Sequence, residues 1–414
     1  MGHDSNPQIP IQAKKLMLVN ALRSIGQGML VVNLALYLHA LGWSTTAIGS
    51  VLAAGGLLGV MLSPVIGIYS DRFGRKRFIL FYEFLTAGCA LVGIFSKDFS
   101  LLFLAVTISG FGKADAGSPS PCAPAEQAWL ATFIIPENRG KVYSLNNALS
   151  FFGMAAGAVM AGTAELWEGF LFGETSYRFT FLIVFILYLV TALIIFTTGE
   201  GEILHSRKEV TGNQEKDIVN KENAAVFKLA AINVLNGIAI GLTGPMMSYW
   251  FAAKFGASTT QIGGTLALTF FATGVTSLFQ AKLSRKHGTI RSIVLFRFIA
   301  SMLLILMPLL SSYMLASIFY MIRTALNRGT QGAQQALSVS LTRDRRSGFA
   351  SSINSLSMRV PISVGPYISG YLFGLGSLAM PFYIASGLQI SFAYLYGRIF
   401  RTFEFQPKSH ASSG

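Results

Sequence analysis

From residue 360 to residue 397 the chain carries no charged side chain. Roughly 20 apolar residues cross the hydrocarbon core of a bilayer as a helix, and a soluble core helix rarely needs so many in a row. This stretch is long enough for two crossings around the turn at Leu375-Gly376-Ser377. The runs 44–70, 179–198 and 229–253 are equally free of charge. Only 12% of all residues are charged and 52% are hydrophobic. A soluble globular chain has about a quarter of its residues charged. These features exclude a soluble protein and predict an integral membrane protein made of helices.

The pattern places twelve spans near 16–40, 45–70, 78–96, 100–134, 143–165, 178–198, 227–252, 258–281, 291–311, 313–340, 349–374 and 377–397. The fourth and tenth are too long for one simple crossing and are expected to protrude or bend. The net charge of +14 is of the sign that binds nucleic acid, but the bases gather in alternate loops. Arg72, Arg75, Lys76 and Arg77 follow span 2, and Arg139 and Lys141 follow span 4. Lys282, Arg285, Lys286 and Arg291 follow span 8; Arg343, Arg345 and Arg346 follow span 10; Arg398 and Arg401 follow span 12. The intervening loops hold only Lys97, Arg178 and Lys254. By the positive-inside rule the basic loops and both termini are cytoplasmic. The expected partners are therefore the bilayer and a small-molecule substrate, with no nucleic acid. Lys14-Lys15 before an apolar run resembles a signal peptide, but Arg23 interrupts it, so the segment reads as a first span that stays.

The polar stretch ending near Glu222 cannot bury an apolar core and reads as a cytoplasmic linker over 199–226. It separates a six-span half, 1–198, from a second, 227–414. The halves repeat each other. Leu41-Gly-Trp-Ser-Thr-Thr-Ala-Ile-Gly49 matches Phe255-Gly-Ala-Ser-Thr-Thr-Gln-Ile-Gly263 at a shift of 214 residues. The same shift sets Gly74 on Gly288 and Glu83 on Arg297. Further on the shift becomes 208, setting Asn146 on Asn354, Gly157 on Gly365 and Gly162 on Gly370. The six extra residues fall between Gly74 and Ala125, where Lys113-Ala-Asp-Ala-Gly-Ser-Pro-Ser-Pro121 is the natural insertion. Six spans per half make the repeats parallel, an arrangement that puts a substrate site near the midplane.

Between spans 2 and 3 stands Gly67-Ile-Tyr-Ser-Asp71-Arg72-Phe-Gly74-Arg75-Lys76-Arg77. It resembles the loop signature of the major facilitator superfamily, G-x-x-x-D-R-x-G-R-K-R, and sits in the corresponding loop. The resemblance covers nearly the whole chain. It implies an all-α membrane fold of twelve transmembrane helices in two parallel pseudo-symmetric six-helix bundles. It also implies secondary transport by alternating access, with no cofactor and a monomeric carrier in the cell membrane. Gly67, Asp71, Arg72, Gly74 and Arg75 would form a cytoplasmic gate. In it Asp71 meets the N-terminal end of span 11, and Arg75 bonds Glu137 or Glu126 near the end of span 4. The plainer reading is a basic anchor that sets topology only.

The subfamily stays open, nearest to the multidrug and metabolite efflux type. Gly153, Gly157 and Gly162 of span 5 lack the Gly-Pro pair usual in drug–proton antiporters; the pair stands in span 11 as Gly365-Pro366. The arginine such antiporters carry early in span 4 is also missing.

Charges inside spans are costly and mark functional candidates. By the resemblance, spans 1, 4, 7 and 10 line the transport path, and spans 3, 6, 9 and 12 are peripheral. Asn20, Arg23 and Gln27 share one face of span 1. Arg323, Asn327, Gln331 and Gln334 form a polar stripe on span 10. Lys113, Asp115 and Glu126 come from span 4. Arg323 is expected near mid-membrane as a substrate or coupling contact; for Arg23 a structural ion pair is as good a reading. Glu126, in Ala123-Pro-Ala-Glu126-Gln-Ala-Trp129, is the better proton carrier of the two acids, the competing reading being a permanent pair with Arg75 or another base of the gate; its equivalent in the second repeat is Gln334. Glu83 and Arg297, on peripheral spans, are expected to snorkel or to pair with the adjoining basic loops.

Enzymatic chemistry has no foothold in the sequence. His3, His39, His205, His287 and His410 are scattered without metal-ligand spacing, and no phosphate-binding loop or nucleophile elbow occurs. Transport without an ATP-binding module draws on a gradient. The first expectation is proton-coupled efflux of a small organic solute; the alternative is uptake or exchange of an anionic metabolite.

Overall fold

The computed structural model describes residues 9–112, 121–134, 139–163, 174–199, 215–287, 289–330, 334 and 347–400. Fourteen α-helices run through them, with no β-strand among the described residues. They are α1 (Ile11–Ala40), α2 (Thr45–Phe73), α3 (Arg75–Phe95), α4 (Phe99–Ser109), α5 (Ala123–Thr132), α6 (Arg139–Gly162) and α7 (Glu174–Phe196). The second half supplies α8 (Glu215–Thr243), α9 (Met247–Phe255), α10 (Thr259–His287), α11 (Thr289–Leu306), α12 (Tyr313–Gly329), α13 (Ser347–Gly374) and α14 (Met380–Phe400).

The fourteen helices are consistent with the twelve expected spans, with spans 4 and 7 each drawn as two helices. Ile11–Ala40, Thr45–Gly67, Arg75–Phe95, Tyr177–Phe196, Glu222–Thr243 and Ile290–Leu309 are each long and apolar enough to cross a membrane. Span 4 breaks at Gly110, which ends α4 in a left-handed conformation (φ 65°), just before the Pro/Ser-rich insertion. Span 7 breaks at Gly244-Pro245, where proline has no N–H to continue the ladder. Helix α8 reaches back to Glu215, into the stretch expected as linker, and Val226 and Glu222 are buried. Once a span is helical, each further residue adds a hydrogen bond without a new nucleus, and Glu215-Lys-Asp-Ile-Val-Asn-Lys-Glu-Asn-Ala-Ala225 contains nothing to stop it.

The described residues fall into two compact units. The first gathers Met1–Ser44, Ala54–Glu209 and Ser258–Gly274; the second gathers Thr45–Ala53, Val210–Ala257 and Val275–Gly414. In the first, α1 packs along α6 and α7, and α3 along α7. In the second, α8 packs along α13 and α14, and α11 along α14. These are the same pairings one repeat later. Lipid tails are as apolar as the side chains, so helix association here rests on close packing rather than on water expulsion. Glycine permits it. A Cβ on Gly157 would run into the Ile25 carbonyl of α1, and a Cβ on Gly365 would run into the Gly241 backbone of α8. The repeated Ser-Thr-Thr-x-x-Gly segments behave alike within their own units. Gly49 lies on Pro366 and close to Gly370, and Gly263 lies on Ala158 and Gly162.

Apolar cores hold each unit at the ends of these contacts. Met17, Ile79, Tyr82, Trp129 and Ile195 cluster in the first, and Val226, Ile232, Ile293, Phe392 and Tyr396 in the second. Helices α2 and α3 are joined by Gly74 alone, at φ 97°. That backbone is open to glycine and strained for any other residue.

Candidate functional site

Helix α1 carries its polar face inward. Asn20 donates to Asn146 Oδ1 on α6 at 3.1 Å, and Ser24 bonds Ser150 one turn along at 2.6 Å. Gln27 donates to the Gly110 carbonyl at 3.4 Å, where α4 ends. Between them Arg23, 3% exposed, reaches two acids. It makes an ion pair with Glu83 of α3 and donates from Nη1 to Glu126 Oε1 of α5 at 2.5 Å. Thr191 of α7 donates to the other oxygen of Glu83. One guanidinium therefore serves two carboxylates, and the two differ in access. Glu83 is wholly buried, whereas the Glu126 side chain keeps 17% of its surface exposed.

The second unit holds the equivalent cluster. Asn233 of α8 donates to Asn354 of α13 at 2.6 Å, repeating the Asn20–Asn146 bond. Three residues along, at the position of Arg23, stands Asn236. Glu83 is replaced by Arg297 of α11, and Glu126 by Gln334. Arg297 donates to Asn236 Oδ1 at 2.7 Å, to Asn327 Oδ1, to Thr330 Oγ1 at 3.0 Å and to Gln334 Oε1 at 3.2 Å. Its guanidinium also lies 5.4 Å from the Phe392 ring centroid. Arg323 of α12, one turn before Asn327, donates to Thr243 Oγ1 at 3.0 Å.

Several expectations change. Glu83 and Arg297 neither snorkel nor serve the basic loops: each is 0% exposed and sits at the centre of its cluster. A helix on the rim of a bundle still has an inward face, and both residues lie on it. Glu126, one of the two acids offered to Arg75, is bonded to Arg23 of α1. The structure brings Arg23, Gln27 and Glu126 together in the first unit, and Arg323 and Asn327 together in the second. Asp115, Lys113, Gln331 and Glu137 lie outside the described residues, and nothing is described of the Asp71 side chain. Of the other residues expected at a gate, Gly67 lies within α2, Gly74 joins α2 to α3, Arg72 is exposed and Arg75 half-buried. Sequence reasoning missed Asn236, Thr191 and Thr243. The signal for Asn236 was available: aligning Asn20 with Asn233 sets Arg23 on Asn236.

Charged residues held inside a bundle of membrane helices are the mark of proteins that move solutes or ions across bilayers. The chain belongs to the Major Facilitator Superfamily, whose sequence profile matches residues 16–224 and 229–412. It is a transporter of that superfamily and an integral membrane protein; the superfamily's members bind small-molecule substrates and are not enzymes. An uncharacterized membrane protein of Saccharomyces cerevisiae is 21% identical over 403 residues, spanning 89% of this chain and 90% of the yeast protein. Multidrug resistance protein 1 of Bacillus subtilis is 23% identical over 369 residues, spanning 87% of this chain and 89% of the relative. The crystal structure of the nucleoside transporter NupG superposes with a TM-score of 0.70 at 12% identity, over 96% of this chain and 100% of that one. At that identity the likeness concerns the fold.

Proposed function

We propose that this transporter is a proton-coupled carrier that exports a small organic solute by alternating access, with Glu126 carrying the proton. The observation behind this reading is the Glu83–Arg23–Glu126 arrangement. Two carboxylates around one guanidinium leave one negative charge over in a low-dielectric bundle, and a proton on one carboxyl cancels it. Glu83 is sealed from solvent and held by Thr191; Glu126 is the less buried partner, so proton exchange falls to Glu126. Protonation releases Glu126 from Arg23, and that local change of charge is what couples proton movement to a change of conformation. The name of the Bacillus subtilis relative supports the export direction. Asp71 and its loop act as the cytoplasmic gate, the halves 1–198 and 227–414 are the moving parts, and the carrier works as a monomer in the cell membrane.

Glu126→Gln tests the coupling. In proteoliposomes with an imposed pH gradient, and a solute found by screening them, the variant should lose gradient-driven accumulation and keep counterflow exchange. Wild-type accumulation in Glu126→Gln removes the residue from the coupling path.

A second reading is uptake or exchange of an anionic metabolite. It is favoured by Arg297 and Arg323, two buried cations whose named partners are all neutral. Substrate charge separates the readings: Arg323→Gln should raise the apparent substrate constant for an acidic solute and leave a neutral or cationic one nearly unchanged.

A further inference from the structure

From Phe227 to Thr402 the chain contains one acidic residue, Asp344, and it stands in Thr342-Arg343-Asp344-Arg345-Arg346, beyond span 10 and among arginines. Before it the nearest acid is Glu222, at the N-terminal end of the apolar part of α8 and about four helical turns ahead of Asn236, so none of the residues around Arg297 and Arg323 is a carboxylate. Yet Arg297 is 0% and Arg323 5% exposed. Burying an ion inside a membrane bundle costs several kcal/mol unless a counter-charge answers it. In the first unit Glu83 and Glu126 answer Arg23. In the second unit amides and hydroxyls stand where acids would. The C-terminal end of α8 at Thr243 offsets part of the Arg323 charge, but it supplies no ion.

On Arg323, Asn327 and Gln334 the unfilled hydrogen-bonding atoms are donors. A guanidinium only donates, so Asn327 and Gln334 must turn their oxygens to Arg297, and their NH2 groups remain as donors. Asn327 Nδ2, Gln334 Nε2 and Arg323 Nε are buried and without a partner. Beside Thr243 span 7 is broken, and Ser248 in the first turn of α9 also keeps a buried hydroxyl with no partner. Broken membrane helices are a recurrent setting for ligand groups. Excess positive charge, unfilled donors and no acid define what is missing: an oxyanion.

We propose that Arg323 and Asn327, one helical turn apart on α12, form an anion subsite that takes the carboxylate of an organic solute, with Gln334 as a further donor along the same span, and that Arg297 is a positioning residue holding the two amides in donor orientation. The proposal rests on the transporter reading and specifies its substrate as anionic. The first unit, with its acid-rich cluster, has no equivalent subsite.

The test is binding to the purified full-length protein, read by thermal unfolding without any flux. Acetate, benzoate and indole-3-acetate are each compared with the matching primary amide, at constant ionic strength in sodium chloride. At least one carboxylate should protect where its amide and added chloride do not. Arg323→Gln should weaken that protection about tenfold or more, since hydrogen bonds to charged groups contribute ~1.5–3 kcal/mol. A second variant needs no ligand. Asn327→Asp places a fixed carboxylate on Arg297; it should raise the melting temperature of the ligand-free protein and abolish protection by the carboxylate. Equal protection by amide and acid in every pair overturns the proposal, as does protection by chloride alone, which would assign the cluster to an inorganic ion. A lower melting temperature for Asn327→Asp overturns it too. Carboxylate-selective binding in a protein that moves no solute would keep the subsite and sink the transporter reading instead.

Discussion

Glu83 and Arg297 occupy one position of an internal repeat, 214 residues apart in the chain, and both side chains are wholly buried with opposite charge. Around them the scaffold is conserved in detail: an Asn–Asn bond between the first and fifth spans of each half, and glycine contacts along the same helix pair. The electrostatics are inverted. Arg23, Glu83 and Glu126 become Asn236, Arg297 and Gln334. One cluster carries an excess of acid and the other an excess of base, so the two repeats are specialised for opposite ions.

Arg23→Gln leaves Glu83 buried without its cation. Breaking a buried pair by removing one partner costs ~3–5 kcal/mol, so the variant should unfold at markedly lower temperature in detergent micelles. Adding Glu83→Gln should recover most of the loss, because both charges are then gone. No recovery in the double variant would mean that Arg23 stabilises through packing rather than charge.

Gly157→Ala should be damaging out of proportion to its size. The new methyl meets the Ile25 carbonyl, a backbone atom on α1 that cannot swing away. Overpacking of this kind costs ~1–3 kcal/mol, and reduced abundance in the membrane is the expected readout. Gly88→Ala is the control, since nothing lies within 4 Å of a Cβ there. Similar abundance for the two variants would refute the close contact.

Asp71→Asn and Gly74→Ala address the same loop through different physics. On the proposed gate, Asp71→Asn should slow transport and leave abundance near normal, because a neutral amide would answer the N-terminus of span 11 less well. Gly74→Ala should cost ~1–3 kcal/mol through backbone strain at φ 97° and lower abundance. Wild-type kinetics for Asp71→Asn would reduce that residue to a topology signal.

The stretch 199–226 is expected on the cytoplasmic side. Ser206→Cys should react with an impermeant maleimide only after cells are permeabilised; the native thiols Cys89 and Cys122 are buried and should contribute little background. Labelling of intact cells would overturn the span count.

The sequence by itself determined the class of fold. Uncharged runs of span length, the placement of Lys and Arg in alternate loops and the Ser-Thr-Thr-x-x-Gly repeat are one-dimensional signals of a bilayer and of a duplicated bundle. Polar faces such as Asn20-Arg23-Gln27 were legible for the same reason, because they arise from the period of a single helix. Pairing was not legible. Whether Glu83 meets a basic loop or Arg23 depends on how α3 is rotated against α1 and α7, and a charge reads alike on either face of a span. Only the tertiary structure decided that Glu126 shares Arg23 with Glu83 and that Arg297 lies among amides. These contacts join residues 30 to 103 positions apart in sequence, and close helix packing sets which faces meet.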